Sequence, residues 1–357
     1  MPRRWRLWKG FDWPLFVAML LLLILGLTVL FSTNEEAAQQ QVFFVGLGLT
    51  LYLLVSLADY RWWFHYSYII YLATLLLLVI ILLAGQGVRG SVRWLDLGVF
   101  NLQASELAKL ALVLTLARLY SYPAERWLGV GRVFASVIIL APVAFLVFRQ
   151  PDLGTTLVIL GIWLGMTFFA GLKPTHLLLL VLSGGTASYP LWHLLKPYQQ
   201  ERLVTFLNPF LDPLGSGYHV LQSTIAVGSG QFWGRGFGRG TQSHLQFLPE
   251  YYTDFVFASF AEEWGFLGSL VMLGLFALLC WRILKIASQA SEAFGALVCI
   301  GVLVMTVIQI LINVGMNLGV MPITGITLPL ISYGGSSLVT VLISLALVQS
   351  VARKREV

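Results

Sequence analysis

Residues 13–31 read WPLFVAMLLLLILGLTVLF, a run without a single charged side chain. As a helix it rises about 1.5 Å per residue and reaches about 30 Å, the thickness of a bilayer's hydrocarbon core. Arg3, Arg4, Arg6 and Lys9 precede it, an order that a secretory signal peptide shares. The run is long enough to span, has no convincing small-residue cleavage site and is followed by more runs of its kind, so it reads as an uncleaved first span with the N-terminus inside. Backbone in lipid must satisfy its own hydrogen bonds, and a helix does so within one segment.

Working outward, nine further runs follow, at about 42–57, 67–84, 104–120, 132–148, 155–171, 175–194, 255–281, 293–316 and 330–351. Composition agrees: 11% charged and 58% hydrophobic residues with a mean hydropathy of +0.84 do not describe a soluble domain. The fold class is all-α, a polytopic membrane protein of about ten transmembrane helices. It is treated as one integral membrane domain over 1–357, with a long segment at 195–254 between the seventh and eighth spans. Arg3, Arg4, Arg6, Lys9, Arg61, Arg118, Arg126, Arg132, Lys173, Arg282, Lys285, Arg353, Lys354 and Arg355 then fall inside. The excess of Lys and Arg there places both termini in the cytoplasm and the long segment outside. Within that segment the apolar spacing of Leu203, Phe206, Leu207 and Phe210, and of Val220, Leu221, Thr224, Ile225 and Val227, predicts short interfacial helices.

Several function classes drop out. The net charge of +6 is explained by membrane topology, not by a nucleic-acid surface. Cys280 and Cys299 lie inside predicted spans and read as small apolar fillers. The five histidines show no metal-ligand spacing.

Charge inside a membrane is costly and marks a functional hypothesis. The topology brings these groups to the outer leaflet. Glu106 and Lys109 open the fourth span on one face, as an ion pair or as substrate contacts. Arg149 and Asp152 lie between the fifth and sixth, and Asp152 is placed to cap the sixth. Asp254, Glu262 and Glu263 begin the eighth, with the two glutamates about 12 Å deeper along it. Thr253 or Asp254 is a natural N-cap there, so spacing leaves Asp254 open between a cap and a catalyst. Gln309, Asn313 and Asn317 share one face of the ninth. Gly228-Ser229-Gly230 and Gly234-Arg235-Gly236-Phe237-Gly238-Arg239-Gly240 alternate glycine with arginine, a composition suited to a phosphate, although a plain surface loop has the same composition. Residues 321–329, MPITGITLP, cannot be continuous helix, and broken backbone at membrane depth belongs where it is packed in protein or lines a cavity.

Asn313-Val314-Gly315-Met316-Asn317-Leu318-Gly319, Pro322-Ile323-Thr324-Gly325, Leu328-Pro329 and Ser332-Tyr333-Gly334-Gly335-Ser336-Ser337 resemble the signature of the shape, elongation, division and sporulation (SEDS) family. Gln150-Pro151-Asp152-Leu153-Gly154-Thr155, residues 248–255 and Glu262-Glu263 followed by Gly265 match it too. Gly240-Thr241-Gln242-Ser243 leading to Phe247-Leu248-Pro249-Glu250 looks like the elongation branch rather than the division branch.

The resemblance implies a peptidoglycan glycosyltransferase that polymerises lipid II at the outer face of the bacterial plasma membrane. It implies a class B penicillin-binding protein as partner, within a wall-elongation complex. It puts the family's essential aspartate on Asp254 and its glutamate–lysine pair on Glu106 and Lys109. The reaction needs a base for a sugar hydroxyl and positive charge for the departing diphosphate. Asp254 suits the first, and Lys109, Arg89, Arg93, Arg149, Arg235 and Arg239 are candidates for the second. Asp152, Glu262, Glu263, Asn313, Ser332 and Ser336 are expected in support. A divalent cation, Mg2+ or Mn2+, ligated by Asp254, is the competing role for that carboxylate. The alternative function is a flippase for the same precursor.

Overall fold

The computed structural model describes residues 10–84, 86–88, 91–96, 101–122, 128–173, 197–213, 217–245 and 247–354, with isolated positions elsewhere. Its long helices are α1 (Trp13–Thr33), α2 (Glu35–Leu57), α3 (Tyr60–Ala84), α4 (Ala104–Ser121), α5 (Val130–Arg149) and α6 (Leu153–Phe169). After the short α7 (Pro197–Leu207), α8 (Tyr218–Ser229) and α9 (Thr241–His244) come α10 (Val256–Ser288), α11 (Ala293–Asn317) and α12 (Gly335–Arg353). Nine of the ten expected spans are therefore helices, and the seventh, 175–194, lies outside the described residues apart from isolated positions. Among the described residues seven helices are long and apolar enough to cross a membrane. Of the other two, α6 has 17 residues and α4 carries Glu106, Lys109 and Arg118.

Local chemistry starts several of these helices. Asp12 caps α1 by accepting from Leu15 N at 3.1 Å, and Asn34 ends α1 and caps α2 through Ala37 N at 3.0 Å. Asp152 caps α6 as expected, accepting from Thr155 N at 3.1 Å and Thr155 Oγ1 at 2.9 Å. The core runs along α11 and α12, against which α2, α4, α6 and α10 pack. One element was not anticipated: β1 (Gln86–Val88), β2 (Ser91–Asp96) and β3 (Asn101–Leu102) form an antiparallel sheet in that order between α3 and α4.

Helix α10 has 33 residues, or about 50 Å, far more than a bilayer core requires. Two contacts with α1 show which part spans. Arg282 pairs with Asp12 at the N-terminal end of α1, and Ser32 Oγ donates to Glu263 Oε1 at its C-terminal end. From 12 to 32 and from 263 to 282 each helix climbs about 30 Å. Residues 256–262 extend past the Ser32 contact at the end of α1, and Glu262 and Glu263 are both buried in protein.

At Gly265 the helix breaks, with φ 66° and ψ −165°, a conformation essentially confined to glycine. The segment after α8 is spliced into the gap. Phe266 N donates to Gln231 O at 2.8 Å and Leu267 N to Phe232 O at 3.2 Å, while Arg235 N and Gly236 N donate to Glu262 O and Glu263 O at 3.0 Å. These are the donors and acceptors that an unbroken helix would pair with one another. A Cβ on Gly265 would lie 2.2 Å from Gly234 N. Gly265→Ala is expected to cost about 1–3 kcal/mol in backbone strain alone, with the clash added, and a thermal melt of the detergent-purified variant reads the loss.

The helix break expected at 321–329 is also there, running on to residue 334 and docked in protein. A Cβ on Gly26 of α1 would meet Ile331 Cα at 2.8 Å, one on Gly154 of α6 would meet Thr324 O at 2.6 Å, and one on Gly335 would strike the Phe44 ring at 2.5 Å. Gln41 Nε2 donates to Ser332 O at 3.1 Å, and Leu328 N donates to Ser332 Oγ at 2.8 Å. Side chains thus satisfy backbone that lipid cannot.

Candidate active site

Glu250 has φ 52°, and its carbonyl accepts from the amides of Thr253, Asp254 and Phe255 at 3.1–3.2 Å. That turn drops Phe255, 3% exposed, into a small apolar cluster with Ala226, Leu248 and Ala258. With Phe255 buried, Asp254 is left half-buried beside the 321–334 segment. The Asp254 carbonyl accepts from Asn313 Nδ2 at 3.0 Å and Asn317 Nδ2 at 3.1 Å. Asn317 Oδ1 accepts from Ala258 N at 3.0 Å.

This overturns one of the two readings of Asp254. The N-cap position of α10 is Phe255 and no cap side chain bonds there; Asn317, from α11, satisfies the first-turn amide instead. Asp254 is held through its backbone carbonyl. Gly325, at φ 72°, faces it: a Cβ there would lie 3.4 Å from Asp254 Oδ2.

Other expected site residues converge on the same pole. Ser332 Oγ donates to Thr253 O at 2.6 Å, and Tyr333 N donates to Tyr252 O at 3.0 Å. Ser336 Oγ donates to Asn101 O at 2.8 Å and accepts from Gln103 N at 3.1 Å, while Gln103 Nε2 reaches Asp152 Oδ2 at 3.5 Å. One turn inward on α4, Lys109 Nζ donates to Glu106 Oε1 at 2.7 Å with both side chains almost fully buried. Of the expected cations, Arg89 and the side chain of Arg93 lie outside the described residues. Arg149 is exposed at the end of α5, its guanidinium 6.0 Å from the Phe145 ring centroid.

The Gly/Arg segment belongs to a different place. Glu262 accepts from Gln242 N at 3.1 Å and Thr241 Oγ1 at 3.1 Å, with Arg235 Nε at 4.0 Å. Glu263 takes the Ser32 hydroxyl, with His244 Nε2 at 3.9 Å. The segment and the residues just after it cradle the protein's own Glu262 and Glu263 carboxylates. Arg239 stays exposed beside them. Below the cradle an apolar cleft of about 290 Å3 opens between α1 and α10, lined by Leu25, Trp233, Phe260, Trp264 and Leu267. A cavity of about 410 Å3 lined by Arg61, His65, Tyr122 and Glu292 lies at the inner pole, far from Asp254.

Two residues to which spacing gave no role stand at the outer pole. Arg202 Nη1 lies 3.4 Å from Ile323 O, two residues from Gly325. The His219 ring stacks on Phe255, centroids 6.2 Å apart. Burial lowers the His219 pKa and Arg202 lowers it further, against the opposing Glu250 charge. A group with a depressed basic pKa resists protonation in the folded state, so on acidification the unfolded chain takes up the proton first. The His219 contribution to stability is therefore complete above the ordinary histidine value of about 6.5 and declines as pH falls through it toward the lower folded value. His219→Phe is expected to flatten that part of a stability-against-pH curve, measured by thermal melts between neutral and mildly acidic pH.

Among the described residues no three His, Cys, Asp or Glu side chains gather as a metal-holding group.

Comparison with known proteins gives a consistent result. The profile of the FtsW, RodA and SpoVE cell cycle protein family matches residues 11–357. The peptidoglycan glycosyltransferase RodA of Treponema pallidum is 34% identical, over 96% of this chain and 98% of its own length. A probable peptidoglycan glycosyltransferase FtsW of Thiomicrospira cyclica is 38% identical, over 98% and 93%. Among solved structures, a chain from a peptidoglycan synthase complex that coordinates polymerization and crosslinking superposes with a TM-score of 0.83 at 37% identity, covering 97% of this chain and 98% of that one. The Thermus thermophilus rod shape determining protein RodA superposes with a TM-score of 0.75 at 32% identity, covering 98% and 99%.

Proposed function

This chain belongs to the FtsW, RodA and SpoVE family and is a membrane-embedded peptidoglycan glycosyltransferase, and on that premise we propose that Asp254 is its catalytic base. The observation that carries the assignment is the division of labour at residue 254. Asn313 and Asn317 clamp the backbone, Asn317 takes over the capping of α10, and the carboxylate faces the 321–334 segment across the bare Cα of Gly325.

The reaction forms a bond between the 4-hydroxyl oxygen of one lipid-linked disaccharide and the anomeric carbon of a second chain. The bond from that carbon to the polyprenyl diphosphate breaks, and its electron pair leaves with the diphosphate. Asp254 accepts the hydroxyl proton, a contribution of about 10²–10⁴-fold for a well-placed base. Arg202 is the described cation nearest the 321–334 segment and is suited to the leaving charge. The substrate is lipid II, met at the outer leaflet, and the apolar cleft below the Glu262–Glu263 cradle suits a polyprenyl tail.

The remaining assignments follow the same reading. The protein sits in the bacterial plasma membrane with both termini cytoplasmic, works in cell elongation and pairs with a class B penicillin-binding protein that crosslinks its product. Support for the partner is the likeness to a synthase-complex chain. The test is purified chain with lipid II in detergent, with and without the partner, products resolved as glycan strands. Detergent abolishes sidedness, so strand formation by the chain alone separates chemistry from transport. Strands that vanish with EDTA and return with Mg2+ would transfer the Asp254 carboxylate from base to metal ligand.

A further inference from the structure

One turn beneath the site lies a layer of buried polar atoms that the reaction above does not use. Gln309 is fully buried, and among the described residues neither its Nε2 nor its Oε1 has a hydrogen-bond partner. The same holds for Ser105 Oγ, Glu106 Oε2 and Thr340 Oγ1. Lys109 Nζ, which carries three donors, gives one to Glu106 Oε1. These residues come from α4, α11 and α12, which pack against one another.

Contacts along the three helices fix their relative depth. A Cβ on Gly301 of α11 would lie 2.5 Å from Val113 Cγ1 of α4, and the two helices run in opposite directions. Moving outward by equal numbers of residues brings Gln309 level with Ser105 and its neighbour Glu106. Gln103 N bonds Ser336 Oγ, and α4 and α12 both run inward from there, so Thr340 falls at the level of residue 107. All five side chains occupy one layer about a turn thick.

Native proteins leave few buried polar groups unpaired. Several such groups at one level on three mutually packed helices suit a site for bound water, which makes two to four hydrogen bonds to such groups. We propose that Ser105, Glu106, Lys109, Gln309 and Thr340 enclose a hydrated chamber, in which Gln309 positions the water that serves the second oxygen of Glu106. Gln309 is a positioning residue. Asn313, the next residue outward on its face, holds Asp254 O and Ile326 O, so the layer that sets α11 against α4 also sets the turn bearing Asp254. This role rests on the glycosyl-transfer reading; the hydration of the chamber does not.

Gln309→Leu tests both parts. In a dry chamber leucine removes two stranded polar atoms, and the melting temperature should rise by about 2 °C or more. In a hydrated one it expels water, leaves Glu106 unserved and gives no rise. The expected result is no rise, with polymerisation kcat down about 10- to 100-fold and KM within about twofold. Gln309→Asn keeps an amide that water can bridge and is expected to stay within about threefold of the parent, while Thr340→Val gives the same direction as leucine from the opposite wall. A raised melting temperature, an unchanged kcat, or a loss carried by KM each overturns the proposal. Failure of the parent protein to polymerise lipid II would strike the assigned reaction, and the melting temperatures would still decide whether the chamber is wet.

Discussion

Purified protein carrying Asp254→Asn melts within about 2 °C of the parent and forms no detectable glycan strands. The substitution changes one oxygen to an amide nitrogen and leaves the backbone clamp intact, since Asn313 and Asn317 bind the carbonyl and not the side chain. No cap is lost, because α10 does not use Asp254 as one. A missing base lowers the rate about 10²–10⁴-fold, below what a gel of polymer resolves. Strand formation above about a tenth of the parent rate would remove Asp254 from the chemistry. A fall in stability of several degrees would return it to a structural role.

The second large effect is expected at the buried pair. Lys109→Met leaves Glu106 as an uncompensated carboxylate with both residues almost fully out of solvent, and breaking a buried pair from one side costs about 3–5 kcal/mol. The double variant Glu106→Gln/Lys109→Met removes both charges and is expected to regain most of that loss, because replacing both members of such a pair is often close to neutral. Denaturant titration of both variants in one detergent gives the comparison. Equal destabilisation by the single and double variants would show that the ion pair is not what holds α4 here. Recovered stability without recovered polymerisation would locate the pair's importance in the reaction.

The helices were legible because runs of the type at 13–31 admit one backbone solution in lipid. Helix ends were less legible where the partner is distant. Asp254 has the sequence context of a cap, yet the amide of Ala258 is satisfied by Asn317, which lies far along the chain and is invisible to any local rule. The Gly/Arg segment was read for a phosphate, and sequence could not show that Glu262 and Glu263 reach it through the broken turn at Gly265. The ion pair at Glu106 and Lys109 and the cap at Asp152 were readable because both partners lie within three residues. Arg202 and His219 came to the site only through the packing of the long outer segment, and the sheet at 86–102 was too short for its alternation to stand out.

The splice at Gly265 has a consequence for how this region tolerates change. Four bonds join residues 231–236 to 262–267 in a fixed order, so the outer segment and the helix are meshed like two combs. Trp233 projects from the mesh and is 75% exposed, so substitutions there leave the teeth engaged. Deleting or inserting one residue between Gln231 and Arg235 would slip the combs by a tooth and open the break in α10 to lipid. Along this stretch the protein is bound in its length, and free in its side chain at Trp233 but not at Gly234, where a Cβ would lie 2.1 Å from Glu263 O.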